Sequence, residues 1–232
     1  NALTEQKLAL EQADKANQSK SRFLAAASHD LLQPMHAARL FSTALEQSVS
    51  SAEDQQTLQQ LDRALYGAES MLSALLDIAR LEGGTIQPKR QAYSLHDLLN
   101  DLELQFKSIA AQRNIQLSVH DTRFWVATDP QWMRRIIQNF VSNALRYTAQ
   151  GRVVVGVLRS AQRPNHIRIG VWDTGPGINE QQRVKLFQEF ERCGHTSPWG
   201  EQGLGLGLAI VQRMTSLLDF PVHVYSELGK GS

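Results

Sequence analysis

The sequence predicts an α part followed by an α/β part: an N-terminal helical hairpin that pairs with a second copy into a dimeric four-helix bundle, then a two-layer α/β sandwich. Three observations carry that prediction. Apolar residues in 1–82 recur at spacings of three, four and seven, with Gly and Pro nearly absent, as one face of a long helix requires. Gly83-Gly84 and Pro88 then break the pattern, as helix-ending residues do. Beyond them, short amphipathic stretches alternate with β-branched runs, the texture of a sheet covered by helices. A length of 232 residues favours two modest domains over one, and the break divides the chain into 1–84 and 85–232.

In the first part, Leu3, Leu10, Asn17 and Leu24 recur every seven residues, as at one seam of a coiled coil. A break falls near Ser48-Val49-Ser50-Ser51-Ala52, and Glu53-Asp54 follow it. Carboxylates suit a helix start because the helix dipole is positive there. The second helix carries Leu58, Leu61, Leu65, Leu72, Leu75, Leu76 and Ile78. Two helices with wide apolar stripes bury little by themselves, and pairing two hairpins supplies the missing cover. On this segment alone a coiled-coil spacer is an equal reading. Pro34 removes one helix hydrogen bond and is expected to bend the first helix.

In the second part, Ser94 is expected to cap a helix through Leu95, Leu98, Leu99, Leu102 and Phe106, since a hydroxyl can take a first-turn N–H. Ile115–His120 and Phe124–Ala127 read as strands around a turn at Asp121-Thr122. Asp129-Pro130 reads as the start of a helix reaching about Tyr147, with Asp as cap and Pro at the first position. Arg152–Leu158 and His166–Val171 are predicted strands, and Glu180–Phe190 a short helix. Glu191–Gln202 is polar and turn-rich, hence a loop, before a helix over Leu204–Leu217 and a last strand at Val222–Tyr225. The strands are compatible with mostly antiparallel pairing.

Composition excludes several classes. The formal net charge of +1 gives no electrostatic case for nucleic acid or an anionic membrane. One cysteine, Cys193, rules out an intrachain disulfide and fits a reduced compartment. No apolar run reaches membrane-spanning length and no secretory signal is visible, so this piece is expected to be soluble and cytoplasmic, without direct membrane contact. It opens inside a helical pattern and stops at Gly229-Lys230-Gly231-Ser232. It is therefore expected to be cut from a longer protein. His96, His120, His166, His195 and His223 share no metal-ligand spacing, and no zinc site is expected.

Three segments carry chemistry. Asp173-Thr174-Gly175-Pro176-Gly177 follows a strand rich in Ile and Val. A carboxylate at a strand end can accept a hydrogen bond from an exocyclic amine such as adenine's, and Gly175 and Gly177 permit close backbone approach. Alone, this is an ordinary turn. Gly203, Gly205 and Gly207 alternate with leucines just before a helix, where backbone N–H groups can converge on phosphate. No Gly-Lys-Ser/Thr follows, so it is not a P-loop. Asn139 and Asn143 lie four apart on one predicted helix, followed by Arg146 and Tyr147. An amide oxygen is a hard ligand suited to Mg²⁺, Arg146 can meet phosphate and Tyr147 can cover a base. In isolation, two Asn on a solvated face mean nothing.

Together and in this order, the segments resemble a sensor histidine kinase, of the ATPase superfamily shared with gyrase, mismatch-repair MutL and the heat-shock 90 chaperones. Gln138–Thr148 resembles the N box, Asp173–Gly177 the first glycine box, Leu186–Phe190 the F box, and Gly203–Gly207 the second glycine box. Leu228–Ser232 looks like the start of the last glycine-containing segment. The resemblance runs from about residue 17 to the C-terminus. It implies ATP and Mg²⁺ as cofactors, with Asn143 as the Mg²⁺ ligand, Asn139 supporting the metal and phosphate, and Asp173 reading the adenine amine. Arg146 stands where the family usually has Lys, which keeps the charge and alters the geometry. Phe187 and Phe190 would clamp the ATP lid, Glu191–Gln202.

Ser28-His29-Asp30-Leu31-Leu32-Gln33-Pro34 resembles the family's H box. The resemblance makes His29 the phosphoacceptor, and Asp30 is placed to take or orient its other ring proton. His36 is the rival, one heptad later and without an acidic neighbour in sequence. Gln33 stands where many relatives carry Thr or Asn for positioning a dephosphorylating water. Leu32-Gln33 also replaces a common Arg-Thr, which suggests a hybrid subfamily with a receiver domain elsewhere. The expected reaction is ATP-dependent autophosphorylation of His29 in a homodimer paired through 1–82, then transfer to an aspartate of a response-regulator receiver domain. The alternative is a catalytically silent, ATP-binding dimeric adaptor of the same fold. An ATP-driven clamp is disfavoured because no acid lies between Asp129 and Tyr147. A Ser/Thr kinase is disfavoured by His29-Asp30. Trp125, Trp132 and Trp172 are expected in core or edge packing, while Trp199 in the lid has no assigned contact.

Overall fold

The computed structural model describes residues 33–45, 51–82, 88–160, 163, 165–191, 197–199 and 205–232. The chain divides into two compact units, Asn1–Gln87 and Pro88–Ser232.

In the first unit, residues 33–45 are helical (α1) and α2 spans Ala52–Glu82. Ser51 opens α2: its Oγ accepts the Asp54 amide at 3.1 Å and donates to Asp54 Oδ2 at 2.6 Å, with Glu53 and Asp54 in the first turn. The two helices are stitched by Glu69, which meets Arg39 Nη1 at 3.0 Å and His36 Nε2 at 3.7 Å. His36 thus has an acidic neighbour in space that its sequence surroundings did not reveal. Leu58, Leu76 and Ile78 are buried, while Leu40 and Phe41 remain 72% and 70% exposed and Leu45, Leu61 and Leu75 are open as well. Pro34 lies in the first described turn, so the expected bend before it falls outside the described residues.

The second unit runs β1 (Gln91–Ser94), α3 (Leu95–Gln112), β2 (Ile115–Val119), β3 (Trp125–Thr128), α4 (Pro130–Tyr147), β4 (Gly151–Arg159), β5 (Ile167–Asp173), α5 (Glu180–Lys185) and α6 (Gly207–Leu218). β1 and β3 form an antiparallel pair with Tyr93 opposite Val126. The main sheet has the order β2-β4-β5. β2 and β4 are parallel with Leu117 opposite Val153, and β4 and β5 antiparallel with Val155 opposite Val171. A parallel pair needs a long crossover, and here α4 lies within it. Leu98, Leu102 and Phe106 of α3 and Ile137 and Val141 of α4 pack with Val153 and Val155 of the sheet. Trp172 and Arg152, on alternate strand positions, are exposed. The result is two layers, helices over a mixed sheet.

The N-terminus of α4 is tightly specified. Asp129 Oδ1 accepts from the amides of Gln131 and Trp132 at 2.9 and 3.1 Å, and Oδ2 accepts from the Lys89 amide at 2.7 Å. Pro130 sits where no amide is needed.

Several expectations change. Ser94 occupies the cap position of α3 without a side-chain cap bond; the Leu95 amide instead donates to Phe124 O at 3.0 Å, so the residue just before β3 supplies the acceptor. The helix predicted to Phe190 stops at Lys185, where the Leu186 amide turns to Arg183 O, and turns follow up to residue 190, whose backbone is left-handed with φ of 61°. Residues 222–225 form no strand. Pro221 has no N–H to offer, and the Asp173 amide at the end of β5 donates to Ser232 O at 2.9 Å, so the chain's last residue takes that position. Two of the three strand pairs are antiparallel, as expected, and β2–β4 is the parallel exception. Trp132 is buried as expected, whereas Trp125 is open to solvent on β3.

Candidate active site

The site is organised by α4. Its apolar face, including Trp132, Ile136, Ile137, Val141 and Leu145, is buried. Asn139, Asn143 and Arg146, spaced four and three apart, fall on one other face and are half-buried. Asn139 Nδ2 donates to Arg135 O at 2.9 Å, which turns its Oδ1 toward α6: a Cβ on Gly207 would lie 2.6 Å from that oxygen. Gly207 opens α6, and among the described residues no side chain caps that terminus. Its first-turn amides are thus left for another acceptor.

The middle of α4 therefore meets the second glycine segment, and its C-terminal end meets the first. A Cβ on Gly175 would lie 2.8 Å from Asp173 Oδ1, 3.3 Å from Thr148 Oγ1 and 3.5 Å from Tyr147 O. The Gly175 amide donates to Asp173 Oδ1 at 2.8 Å. Burial pushes the Asp173 carboxyl above the ordinary carboxylate range, opposed by the backbone N–H groups of Gly175 and Ser232. Thr148 is fully buried, yet its Oγ1 has no hydrogen-bond partner. Between Asn139 and Tyr147, α4 advances about 12 Å, so the two glycine segments border opposite ends of one helix face.

Gly177 and Gly205 admit no side chain. Gly177 has φ of 70°, and a Cβ there would overlap Glu227 O; Gly205 has φ of 72° and lies against Glu191 O. Gly205 O accepts the Phe190 amide at 3.1 Å, closing the base of the loop between Glu191 and Gly205. Phe187 is half-buried, but Phe190 is 61% exposed, so its backbone rather than its ring holds the loop. Arg213 of α6 pairs with Glu189 at 2.5 Å. Gln33 is helical and exposed. His29, Asp30 and Gly203 lie outside the described residues.

Sequence reasoning gave no role to Thr148, Ser197, Trp199 or Arg113. Trp199 packs on the α/β core with the Arg113 guanidinium 5.4 Å from its ring centroid. A tryptophan in an otherwise polar loop was the available signal.

An α/β unit whose Asn-bearing helix joins an Asp-Gly turn to a glycine-opened helix, following a helical hairpin, defines a class: a nucleotide-binding domain appended to a helical one. The comparisons make the class particular. Residues 19–84 match the His Kinase A (phospho-acceptor) domain, and residues 128–232 match the histidine kinase-, DNA gyrase B-, and HSP90-like ATPase domain. The chain belongs to the histidine kinase family. It is 31% identical over 234 residues to the autoinducer 2 sensor kinase/phosphatase LuxQ of Vibrio vulnificus (strain YJ016), covering 97% of this chain and 27% of that protein. It is 33% identical over 232 residues to the sensor histidine kinase AruS of Pseudomonas aeruginosa, covering 97% of this chain and 23% of that protein. The chain thus spans about a quarter of the length of these relatives. Among solved structures, full-length ShkA in complex with AMPPNP superposes with a TM-score of 0.70 at 26% identity, covering 91% of this chain and 44% of that one. The Acinetobacter baumannii histidine kinase AdeS shares the fold, with a TM-score of 0.58 at 17% identity over 88% of this chain and 93% of that one. Among the described residues no helix is long and apolar enough to cross a membrane.

Proposed function

We propose that this chain is the catalytic core of a homodimeric sensor kinase that binds ATP·Mg²⁺ in its α/β unit, phosphorylates His29 and passes the phosphoryl group to an aspartate of a receiver domain. The observation that carries the reading is the convergence on α4: Asn139 against Gly207 at its middle, and Thr148 with Asp173 around Gly175 at its C-terminal end. A cradle that a single Cβ would fill, a half-buried carboxylate and an unpartnered buried hydroxyl fit a planar, amine-bearing base. An uncapped helix N-terminus beside an amide fits phosphates. The AMPPNP complex of ShkA supports the same ligand class.

In this reading Asp173 accepts from the adenine amine and Tyr147 covers the base. Arg146 and the amides at Gly203, Gly205 and Gly207 hold phosphate. Asn143, with Asn139 behind it, offers the amide oxygen for Mg²⁺, which when bound neutralises charge on the phosphates. The neutral His29 ring attacks the γ-phosphorus as the bond to ADP breaks, and Asp30 takes or orients the other ring proton. Such transfer depends mostly on positioning and charge neutralisation. Gln33 would orient a water if the phosphorylated partner is also hydrolysed. The hairpin, 1–84, serves as the dimer and phosphoacceptor domain and 85–232 as the ATP-binding domain. A receiver domain in the same polypeptide, as in a hybrid kinase, fits the Leu32-Gln33 variation.

The test is phosphoryl incorporation from γ-labelled ATP with Mg²⁺. Acid-labile, base-stable label lost in His29→Gln and Asn143→Asp but kept in His36→Gln is the expected result. An unlabelled chain that still binds ATP would favour the silent adaptor.

A further inference from the structure

We propose that Ser197 and Trp199 are positioning residues for the nucleotide, tying the loop between Glu191 and Gly205 to the C-terminal end of the helix that carries Asn139 and Asn143. The inference rests on the nucleotide reading above and goes beyond it by assigning a job to residues outside the glycine and Asn segments.

The tie has three strands, all read from side chains. Ser197 is buried, and its Oγ donates to Arg146 O at 3.0 Å while accepting the Trp199 amide at 3.2 Å. The Trp199 ring packs against the core shared by α3, α4 and the sheet. Arg113, at the C-cap of α3, lies over that ring and donates from Nη1 to Leu145 O at 3.1 Å. Leu145 and Arg146 supply two of the last carbonyls of α4, which have no partner within their own helix. One group from the loop and one from α3 satisfy them. The stems of the loop are closed separately by the Phe190 amide on Gly205 O.

With both carbonyls held, the end of α4 loses part of its freedom before any ligand arrives. The brace acts at Arg146, one helical turn beyond Asn143, so the Asn face rests on a rigid support. Preorganisation of this kind appears as ligand affinity. Trp199 Nε1 is buried without a hydrogen-bond partner, so the indole acts through shape and its π face. Phenylalanine keeps both.

ATP binding is measured calorimetrically on the full 232-residue chain, at a temperature where circular dichroism shows every variant folded. Trp199→Ala is expected to weaken ATP binding by about fivefold or more, and Trp199→Phe to restore most of it. A side chain that served only the fold would lower the melting temperature and leave affinity in the folded range untouched. ATP affinity of Trp199→Ala within about twofold of the parent, the limit of simple non-additivity, would overturn the proposal. Should Trp199→Ala not fold, Ser197→Ala decides: weakened ATP binding supports the tie, and parental affinity overturns it. A parent chain that binds no ATP would overturn the nucleotide reading itself, and the positioning role with it.

Discussion

Replacing Thr148 by valine should make the nucleotide-free protein more stable. Thr148 is fully buried and its Oγ1 has no partner, although it sits beside Gly175 and Asp173. A buried, unsatisfied hydroxyl costs about 1–3 kcal/mol, and valine removes it while keeping the branched shape. Taking the lower end, about 1 kcal/mol corresponds to a rise of about 3 °C in melting temperature for a domain of this size. Thr148→Ala is the control. It removes the same hydroxyl but also a methyl whose loss costs on the order of 1 kcal/mol, so it should be close to neutral. The assay is tryptophan fluorescence, because all four tryptophans, at 125, 132, 172 and 199, lie in the second unit. The melt therefore reports that unit without interference from the hairpin. A melting temperature for Thr148→Val equal to or below that of the parent would refute the reasoning, since the hydroxyl would then be satisfied in the free protein.

Three further outcomes are expected. Gly177→Ala should destabilise the second unit by about 2 kcal/mol or more in the same melt, because the left-handed backbone alone costs a side chain about 1–2 kcal/mol and the new Cβ would overlap Glu227 O. Asp129→Ala should cost about 2 kcal/mol, the upper range for a cap, since it releases Lys89 as well as two first-turn amides; urea unfolding will show it, and Asp129→Asn, whose amide oxygen can still accept both first-turn amides, should recover part of the loss. His96 and Asp121, in contact at 2.5 Å, should titrate apart: the hydrogen bond and charge of Asp121 hold His96 above its ordinary value of 6.5, and His96 holds Asp121 below its ordinary 3.8. The His96 contribution is present below pH 6.5 and lost as pH rises through its raised value, while that of Asp121 is lost as pH falls through its lowered one. Proton NMR of the ring should show this, with Asp121→Asn returning His96 toward 6.5.

Legibility in the sequence followed the range of the interactions. The Asp129-Pro130 helix start, the second helix beginning after Ser51 and the glycine segments are local devices, and each was visible in neighbouring residues. The parallel pairing of β2 with β4 was not, because it depends on where α4 carries the chain between them. Residues 222–225 carry β-compatible side chains, but a strand exists only where an edge accepts it, and Ser232 occupies the end of β5. Ser94 has the residue type of a cap, yet Phe124, just before β3, meets the amide that follows it. Asp173, Asn139 and Gly207 were legible as types in order, while their meeting around α4 is a tertiary fact. Trp199 was visible only as an anomaly in a polar loop.

The open apolar face of the hairpin has a consequence for how the protein should be handled. Leu40, Phe41 and Leu45 are left uncovered within one chain, and if a second copy supplies the cover, hairpin folding and association become a single bimolecular equilibrium. Melting of the hairpin, followed by helical circular dichroism, would then shift upward with protein concentration, while the tryptophan-reported unit keeps a fixed midpoint. Dilution would strip order from one half of the polypeptide and leave the other intact.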